Sequence, residues 1–242
     1  MTDRAGRVSK KARQKMVIAM DGPAGVGKST VGQLIAKSLG YQFINTGEMY
    51  RALTWKALEE KLDLNDHDAV ADLAKKIAWD FRPTDEGVTL KTFIDGEGVT
   101  AHIREERVSV NSSLIAANPG VRKFLSRLQR KLGEGGGIVM EGRDITTHVF
   151  PDADYKIYLD ASIDERADRR YRQLKAAGQP ADRQKIKESI LRRDLNDLKR
   201  KINPLACPPD AIVIDSTKLT LKQVANRILK KIRNGHAPRV GS

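Results

Sequence analysis

The residues whose types and spacing most clearly indicate chemistry form a glycine-rich segment near the N-terminus. The apolar run Met16–Met20 precedes Gly22-x-x-x-x-Gly27-Lys28-Ser29, and helical spacing of apolar residues follows. Glycines allow a tight turn whose backbone N–H groups meet phosphate oxygens at the positive end of the new helix. Lys28 is expected to reach the β- and γ-phosphates, and the Ser29 hydroxyl to complete a Mg²⁺ site. The segment predicts binding of a nucleoside triphosphate by Gly22, Pro23, Ala24, Gly25, Val26, Gly27, Lys28, Ser29 and Thr30.

A second group that could hold phosphate follows the next apolar strand pattern, residues 41–45. Thr46 opens a helical segment there, and Arg51 lies inside its second turn. A small hydroxyl residue at a strand end with an arginine at short helical range can bind a second phosphate. The alternative interpretation is a helix cap with an unrelated surface arginine.

A third group, Glu141-Gly142-Arg143-Asp144, follows the short apolar segment Ile138–Met140. In open parallel sheets, ligands bind at the carboxyl ends of the strands, so this group should face the cleft. Arg143 can bind phosphate bidentately, and an acid near the loop can help to organise Mg²⁺ through water. A purely structural salt-bridged turn is the alternative.

Residues 161–204 follow a helix–break–helix pattern that is rich in arginine. Such a hairpin beside a phosphate-binding loop favours a mobile lid that closes over phosphates and excludes water. An ordinary solvated helix pair is the alternative. The arginines are Arg166, Arg169, Arg170, Arg172, Arg192, Arg193 and Arg200.

The elements around these groups must place them at one edge of a sheet. The patterns predict an α/β fold with a central parallel sheet flanked by helices, a mixed α+β insertion and a helical lid. The core is predicted over residues 16–59, 126–160 and 205–233, the insertion over 60–125 and the lid over 161–204. Residues 1–15 and 234–242 are predicted to be terminal tails.

Composition and charge limit the other possibilities. The chain of 242 residues has one cysteine, Cys207, and no apolar segment long enough for a signal core or a membrane span, so a cytoplasmic protein is expected. The net charge of +13 lies mostly in residues 1–15, with +5, and in residues 161–204, with +6. Because aromatic residues make up only 5%, a nucleic-acid surface is disfavoured and the basic tail is expected to be a solvated arm.

The order and spacing of these groups resemble the bacterial cytidylate kinases from about Met16 to Lys231. The generic part is the glycine-rich loop, whereas the combination is specific. The matching pieces are residues 21–30, Thr46-Gly47-Glu48-Met49-Tyr50-Arg51-Ala52, Glu141-Gly142-Arg143-Asp144-Ile145, Ile157-Tyr158-Leu159-Asp160-Ala161-Ser162, Arg193-Asp194 with Asp197 and Arg200, and Ile214-Asp215-Ser216-Thr217.

The resemblance implies transfer of the γ-phosphoryl group of ATP to CMP or dCMP, with Mg²⁺. We separately expect the protein to be a monomer. The resemblance also implies an acceptor-phosphate site at Thr46, Arg51, Arg143 and Arg193, cytosine recognition by Ser113, Arg122 and Asp144, and a ribose contact at Asp197. It further implies that Lys28, Arg143, Asp144 and Arg193 carry the catalysis. Family members usually have Ser where this chain has Thr46 and often Asp where it has Glu141.

Three other functions are compatible with parts of the pattern. A kinase for UMP or another small metabolite shares most of these features. A nucleic-acid-binding protein with the same loop would use the tail and the lid as its surface. A GTPase switch requires an Asn-Lys-x-Asp segment for guanine, and the sequence contains none.

Overall fold

The computed structural model describes residues 15–235. The predictions for the two tails therefore fall almost entirely outside the described residues. The main helices and strands follow one another along the described chain in the order β1 (Val17–Asp21), α1 (Lys28–Leu39), β2 (Gln42–Asn45), α2 (Thr46–Glu59), α3 (His67–Lys76), β3 (Trp79–Pro83), β4 (Leu90–Ile94), β5 (Glu97–Gly98), α4 (Glu106–Ala117), α5 (Pro119–Gly133), β6 (Ile138–Glu141), β7 (Tyr155–Asp160), α6 (Ile163–Ala176), α7 (Arg183–Lys199), β8 (Ile212–Asp215) and α8 (Leu221–Arg233).

Five parallel strands form the central sheet in the order β2-β6-β1-β7-β8. Strands β1 and β6 are apolar runs without alternation, as expected for strands covered by helices on both faces. Helices α1 and α8 pack on one face, where Ile35, Val31 and Ile228 are completely buried. The predicted α/β class with a parallel sheet flanked by helices is confirmed.

Two helix ends follow local rules that are visible in the sequence. Helix α1 ends at Gly40, whose φ of 68° is the left-handed conformation typical of a glycine after a helix. Helix α8 begins with a capping box, because Thr220 accepts from the Gln223 backbone N–H and the Gln223 side chain accepts in return. These caps define the end of α1 and the start of α8, the two helices that pack on the same face of the sheet.

The segment between β2 and β6 contains a second, antiparallel sheet in the order β3-β4-β5. Its helices bury a separate apolar cluster that includes Leu53, Ile115 and Leu125. The turn between β3 and β4 lies along the free edge of β2, where the Phe43 N–H donates to Val88 O at 2.6 Å. The interruption of the parallel pattern predicted from the sequence is therefore present, and it contacts the central sheet directly.

Helices α6 and α7 form the helical hairpin that the sequence predicts. An apolar cluster joins this hairpin to the glycine-rich loop. It contains Ala24 of the loop, Ala167 of α6 and Ile190 of α7. Among residues 15–235, no helix combines the length and the apolar character that crossing a membrane requires.

Candidate active site

The glycine-rich loop connects the end of β1 to the start of α1. Gly22 has a φ of 147°, and a Cβ atom there would lie 2.0 Å from Leu159 O on the neighbouring strand β7. Gly27 has a φ of 95° directly before the first helical residue. Both positions require glycine, and the loop can wrap closely around an anion because its backbone has this freedom.

Lys28 points back into the loop that precedes it. Its Nζ donates to Gly22 O and to Pro23 O, each at 2.7 Å, and the side chain is buried. Burial first, and then the nearby charge of Arg143, lower the pKa of Lys28 to about 7. The lysine is therefore held in the loop by neutral carbonyl groups and stands beside another cation.

Ser29, Thr46 and Glu141 meet where β1, β2 and β6 end side by side. Glu141 pairs in register with Met20 of β1 and with Asn45 of β2. Its carboxylate accepts from the Ser29 hydroxyl at 2.5 Å, and its backbone carbonyl accepts from the Thr46 hydroxyl at 2.8 Å. Thr46 is thus not a helix cap, because its hydroxyl is bound to the adjacent strand and Asn45 occupies the capping position.

Arginines from three elements form a cluster of cations next to Lys28, which Arg143 and Arg193 approach most closely. Arg51 lies on α2, Arg143 follows β6 and the solvent-exposed Arg193 reaches from α7. Loss of hydration among the surrounding protein groups, followed by the charges of Arg143 and Arg51, lowers the pKa of Arg193 to about 10. Burial and the charge of Arg143 also lower the pKa of Arg51, although Glu48 opposes this shift. Mutual repulsion among these cations would be relieved by a bound anion.

A buried ion pair lies next to this cluster. Arg122 of α5 donates through Nη2 to Asp144 Oδ2 at 2.5 Å, and Arg200 Nη2 lies 3.3 Å from the other carboxylate oxygen. Arg122 and Asp144 are 2% and 5% exposed, so neither charge is screened by bulk water. Arg122 Nη1 also donates to Ala116 O at 3.0 Å, which fixes the end of α4 beside the pair.

Several buried polar atoms around this pair lack a hydrogen-bond partner among the described residues. They include Arg122 Nε, Ser126 Oγ and Gln129 Nε2. Buried polar atoms are rarely left unpaired, so a polar ligand is a natural partner for this group. Ser126 follows Arg122 by four positions and Gln129 follows Ser126 by three, so the three side chains lie on one face of α5. This helical spacing of polar residues in the sequence could have identified Ser126 and Gln129 as members of the pocket.

Asp197 and Ser113 differ in how closely the structure joins them to these groups. Asp197 accepts from Arg143 Nε at 2.7 Å, so it lies within the site. Ser113 lies on the exposed side of α4, four residues before Ala117, and no contact joins it to Arg122 or Asp144 in the described part of the chain. The structure therefore brings together most of the predicted site residues and leaves Ser113 at the margin.

Two of the lid arginines do not face the cleft. Arg166 is buried, pairs with Asp194 and donates to Ala24 O at 3.0 Å, while Asp194 accepts from the Ala24 N–H at 3.0 Å. Arg169 donates to Val26 O at 3.0 Å and to Ser216 O at 2.6 Å. These side chains join the base of the lid to the glycine-rich loop and to the end of β8, a role that the arginine count alone could not reveal.

The parallel sheet, the loop with its buried lysine and the arginine-lined cleft define a nucleotide-dependent phosphotransferase of the P-loop kinase class. Comparison with known proteins identifies the family. The family model described as "Cytidylate kinase" matches residues 18–234. "Cytidylate kinase" of Geobacillus thermodenitrificans (strain NG80-2) is 46% identical over 217 residues, covering 90% of this chain and 96% of that protein. "Cytidylate kinase" of Bacillus subtilis (strain 168) is 42% identical over 219 residues, covering 90% and 97%.

The chain belongs to the cytidylate kinase family. This confirms the resemblance found in the sequence and the prediction of a CMP kinase, a phosphotransferase. Among solved structures, an uncharacterized protein from Eubacterium ventriosum ATCC 27560 superposes with a TM-score of 0.51 at 11% identity, covering 91% of this chain and 99% of that chain. That likeness concerns the fold alone.

Proposed function

We propose that this chain transfers the γ-phosphoryl group of ATP to CMP or dCMP, with Mg²⁺ accompanying ATP. The observation that carries the proposal is the position of the buried Arg122–Asp144 pair directly beside a cluster of cations at the phosphate-binding loop. A loop for the donor phosphates, cations for the acceptor phosphate and a buried polar pocket for a base are the three parts that this reaction needs. Membership of the cytidylate kinase family supports the same assignment.

The donor triphosphate would bind to residues 22–30. Backbone N–H groups and the start of α1 would surround its phosphates, and Lys28 would exchange its two carbonyl contacts for phosphate oxygens. An anion next to Lys28 favours the charged form, so binding should raise its pKa from about 7. Lys28 would then neutralise charge on the transferred group.

Mg²⁺ fits the oxygen atoms at the start of α1. The Ser29 hydroxyl and the Glu141 carboxylate share a hydrogen bond, and such hard oxygen donors are the ligands that Mg²⁺ prefers. When bound, the ion supplies positive charge beside the phosphates. Glu141 provides the carboxylate for which family members often use Asp, and it lies within reach of Ser29.

The acceptor phosphate would lie among Thr46, Arg51, Arg143 and Arg193. The lowered pKa values of Arg51 and Arg193 are consistent with this placement. Burial lowers both pKa values most, and the charge of Arg143 adds a repulsion that a bound phosphate would offset. The attacking atom is already an anionic phosphate oxygen, so the reaction needs no strong general base. Catalysis would consist of alignment of two phosphates and neutralisation of the charge that spreads in the transition state.

Cytosine would be recognised by Arg122 and Asp144, with Ser113 at the margin. An ionised carboxylate only accepts hydrogen bonds, which suits the exocyclic amino group of cytosine, and arginine only donates, which suits cytosine N3 or O2. Uracil presents the opposite pattern at two of these atoms. The unpaired Arg122 Nε supports this role. Asp197, held by Arg143, would bind the ribose hydroxyls.

The organisation of the molecule follows from these roles. We propose residues 16–59, 126–160 and 205–233 as the core, 60–125 as the monophosphate-binding insertion and 161–204 as the lid. The enzyme would act as a monomer in the cytoplasm during pyrimidine nucleotide metabolism. One cysteine in 242 residues supports a reducing compartment.

An acceptor panel with ATP and Mg²⁺ tests the proposal. ADP formation should be fastest with CMP and dCMP, much slower with UMP and at background without an acceptor. Faster turnover with UMP or with a non-nucleotide acceptor would replace the substrate assignment. Absence of turnover with every acceptor, together with nucleic-acid binding at moderate salt, would support the nucleic-acid alternative.

A further inference from the structure

Asp21 is a completely buried carboxylate at the point where β1 enters the glycine-rich loop. An ionised carboxylate only accepts hydrogen bonds, so Asp21 is not expected to bind phosphate itself. Its Oδ1 accepts from the Ile145 N–H at 3.0 Å, and its Oδ2 accepts from the Thr146 N–H at 2.7 Å and from the Thr146 hydroxyl at 2.6 Å. The acceptors of Asp21 are thus used by a segment 124 residues further along the chain.

That segment, residues 145–149, is a short π-helix that begins immediately after Asp144. The first N–H groups of any helix lack partners within the helix and need acceptors from elsewhere. An aspartate at the position of Asp144 would normally cap its own helix through its side chain. Here the Asp144 side chain makes no such bond.

Asp144 does not cap its helix because its carboxylate is turned toward arginines. It accepts from Arg122 at 2.5 Å and lies 3.3 Å from Arg200. Asp21 supplies the missing cap from the adjacent strand. The two aspartates therefore have different roles. Asp21 accepts hydrogen bonds from the backbone of residues 145 and 146, and the Asp144 carboxylate remains in the pocket with the arginines.

Burial raises the pKa of Asp21, and the hydrogen bonds from Thr146 and Ile145 oppose that shift by favouring the ionised form. A buried carboxylate is unfavourable unless its oxygens are satisfied, so the geometry of residues 145 and 146 and that of Asp21 are mutually dependent. Asp21 directly precedes Gly22, so its side chain joins the end of β1 to the backbone that follows Asp144.

We infer that Asp21 is a positioning residue of the acceptor pocket, which it holds in place from the end of β1. By capping residues 145–149 it keeps the Asp144 carboxylate on Arg122 and Arg200 and fixes the turn that carries Arg143. Without this cap, Asp144 would turn back to satisfy the N–H groups that follow it and would leave Arg122. The inference deepens the proposed function and rests on CMP being the acceptor.

The test is the substitution Asp21→Asn, which keeps the size of the side chain but replaces one acceptor oxygen by a donor. Calorimetry would measure CMP binding and ATP binding separately, and kinetics would give kcat/KM for CMP and for UMP. CMP affinity should fall on the order of tenfold or more, the CMP-to-UMP ratio of kcat/KM should narrow, and ATP affinity should change less than about threefold.

Two further variants make the test independent of a folding defect. Thr146→Val removes only the hydroxyl hydrogen bond, so it should produce the same pattern with a smaller, roughly threefold, loss of CMP affinity. Asp154→Asn is the matched control, because the exposed Asp154 carboxylate accepts from the Val17 N–H at 2.7 Å at the opposite end of β1. That variant should bind both ligands like the unchanged protein.

The outcomes separate the inference from the proposed function. A parallel loss of CMP and ATP affinity in Asp21→Asn and in Thr146→Val, or a lower melting temperature with unchanged affinities, would show a merely structural role and overturn the inference. If Asp21→Asn does not fold, the selective loss in Thr146→Val decides. Failure of the unchanged protein to bind CMP would instead remove the proposed function, and the inference with it.

Discussion

The phosphate-binding loop takes its shape from nine consecutive residues, 22–30, whereas the acceptor pocket is assembled from side chains on α2, α5, the turn after β6 and α7. On the proposed donor side, backbone N–H groups and one lysine would face the ligand. On the acceptor side, Arg122, Asp144 and Arg143 are held by ion pairs between distant parts of the chain. Binding of the donor should therefore depend on few side chains, and binding of the acceptor should depend on many.

The helical hairpin formed by α6 and α7 also contacts the phosphate-binding loop at its base. The loop is not entirely self-contained, since Asp194 of α7 accepts from the Ala24 N–H and pairs with Arg166 of α6. Arg193, the residue before Asp194, lies instead within reach of the charges of Arg143 and Arg51. Adjacent residues of one helix thus anchor the lid and contact the proposed phosphate site.

The largest effect is expected for Lys28→Ala. Removal of this cation should lower kcat on the order of 10²- to 10³-fold, because no other group of the loop supplies positive charge to the donor phosphates. The fold should persist, as judged by circular dichroism. Lys37→Ala is the control, since Lys37 lies exposed on the same helix and pairs with Glu86 at 3.5 Å. Near-normal turnover by Lys28→Ala would contradict the donor site.

Arg193→Ala should be next in magnitude. We expect kcat to fall about 10²-fold with a small change in ATP affinity, because a lid arginine acts mainly on the transition state. Arg192→Ala, an exposed arginine on the same helix, should behave like the unchanged protein. A loss of ATP affinity with unchanged kcat would instead make Arg193 a ground-state contact, and no effect at all would favour the solvated helix pair.

Asp194→Asn tests the anchor at the base of the lid. The variant weakens a buried charged contact to Arg166, so the free energy of unfolding should fall by about 2 kcal/mol. Denaturant unfolding measures the change. Asp168→Asn is a matched control on α6, because Asp168 pairs with Arg183 at the surface and should leave the midpoint unchanged. Equal midpoints for both variants would show that the anchor contributes little.

Asp144→Ala should change the selectivity of the acceptor pocket. kcat/KM should fall far more for CMP than for UMP, narrowing their ratio by about tenfold, because the carboxylate favours the cytosine amino group. Asp152→Ala, in the exposed turn after the π-helix, is the control. Equal losses for the two substrates would mean that Asp144 orients Arg143 or Arg122 and that the base is recognised elsewhere.

The smallest effect is expected in the number of protons that the protein takes up when ATP binds. With a pKa of about 7, most Lys28 side chains are neutral at pH 8, and the triphosphate favours the charged form. ATP binding at pH 8 should therefore take up close to one proton, and at pH 6 almost none. Calorimetry in buffers with different ionisation enthalpies measures this uptake, and Lys28→Met provides the control. Equal uptake in the Met variant would assign the proton to another group.

Local sequence patterns account for more of the proposed donor site than of the proposed acceptor site. Gly22, Gly27 and Lys28 act through local geometry, and a local pattern can encode that geometry. The parallel sheet was also predictable, because β1 and β6 are continuous apolar runs between helical patterns. The family resemblance, which covers nearly the whole chain, named Arg122, Asp144 and Asp197 before their positions were known.

Other features could not be read from local patterns. Thr46 looked like a helix cap, but its hydroxyl bonds to Glu141 on a strand 95 residues later. Arg166 and Arg169 looked like phosphate contacts, but the structure turns them toward the base of the lid. Their direction depends on how α6 packs against the loop and on the end of β8.

The sequence by itself determined the phosphate-binding loop, the sheet class and the family, because each depends on residue types at short, fixed spacing or on a long match. Only the tertiary structure decided which carboxylate accepts hydrogen bonds from backbone N–H groups and which one pairs with arginines in the pocket. Asp21 and Asp144 have the same side chain, and each lies at the end of a buried strand of the central sheet or close after it. Their different roles arise from which N–H groups and arginines the parallel strands bring next to each. That choice is made by contacts across more than twenty residues, where spacing along the chain carries no information.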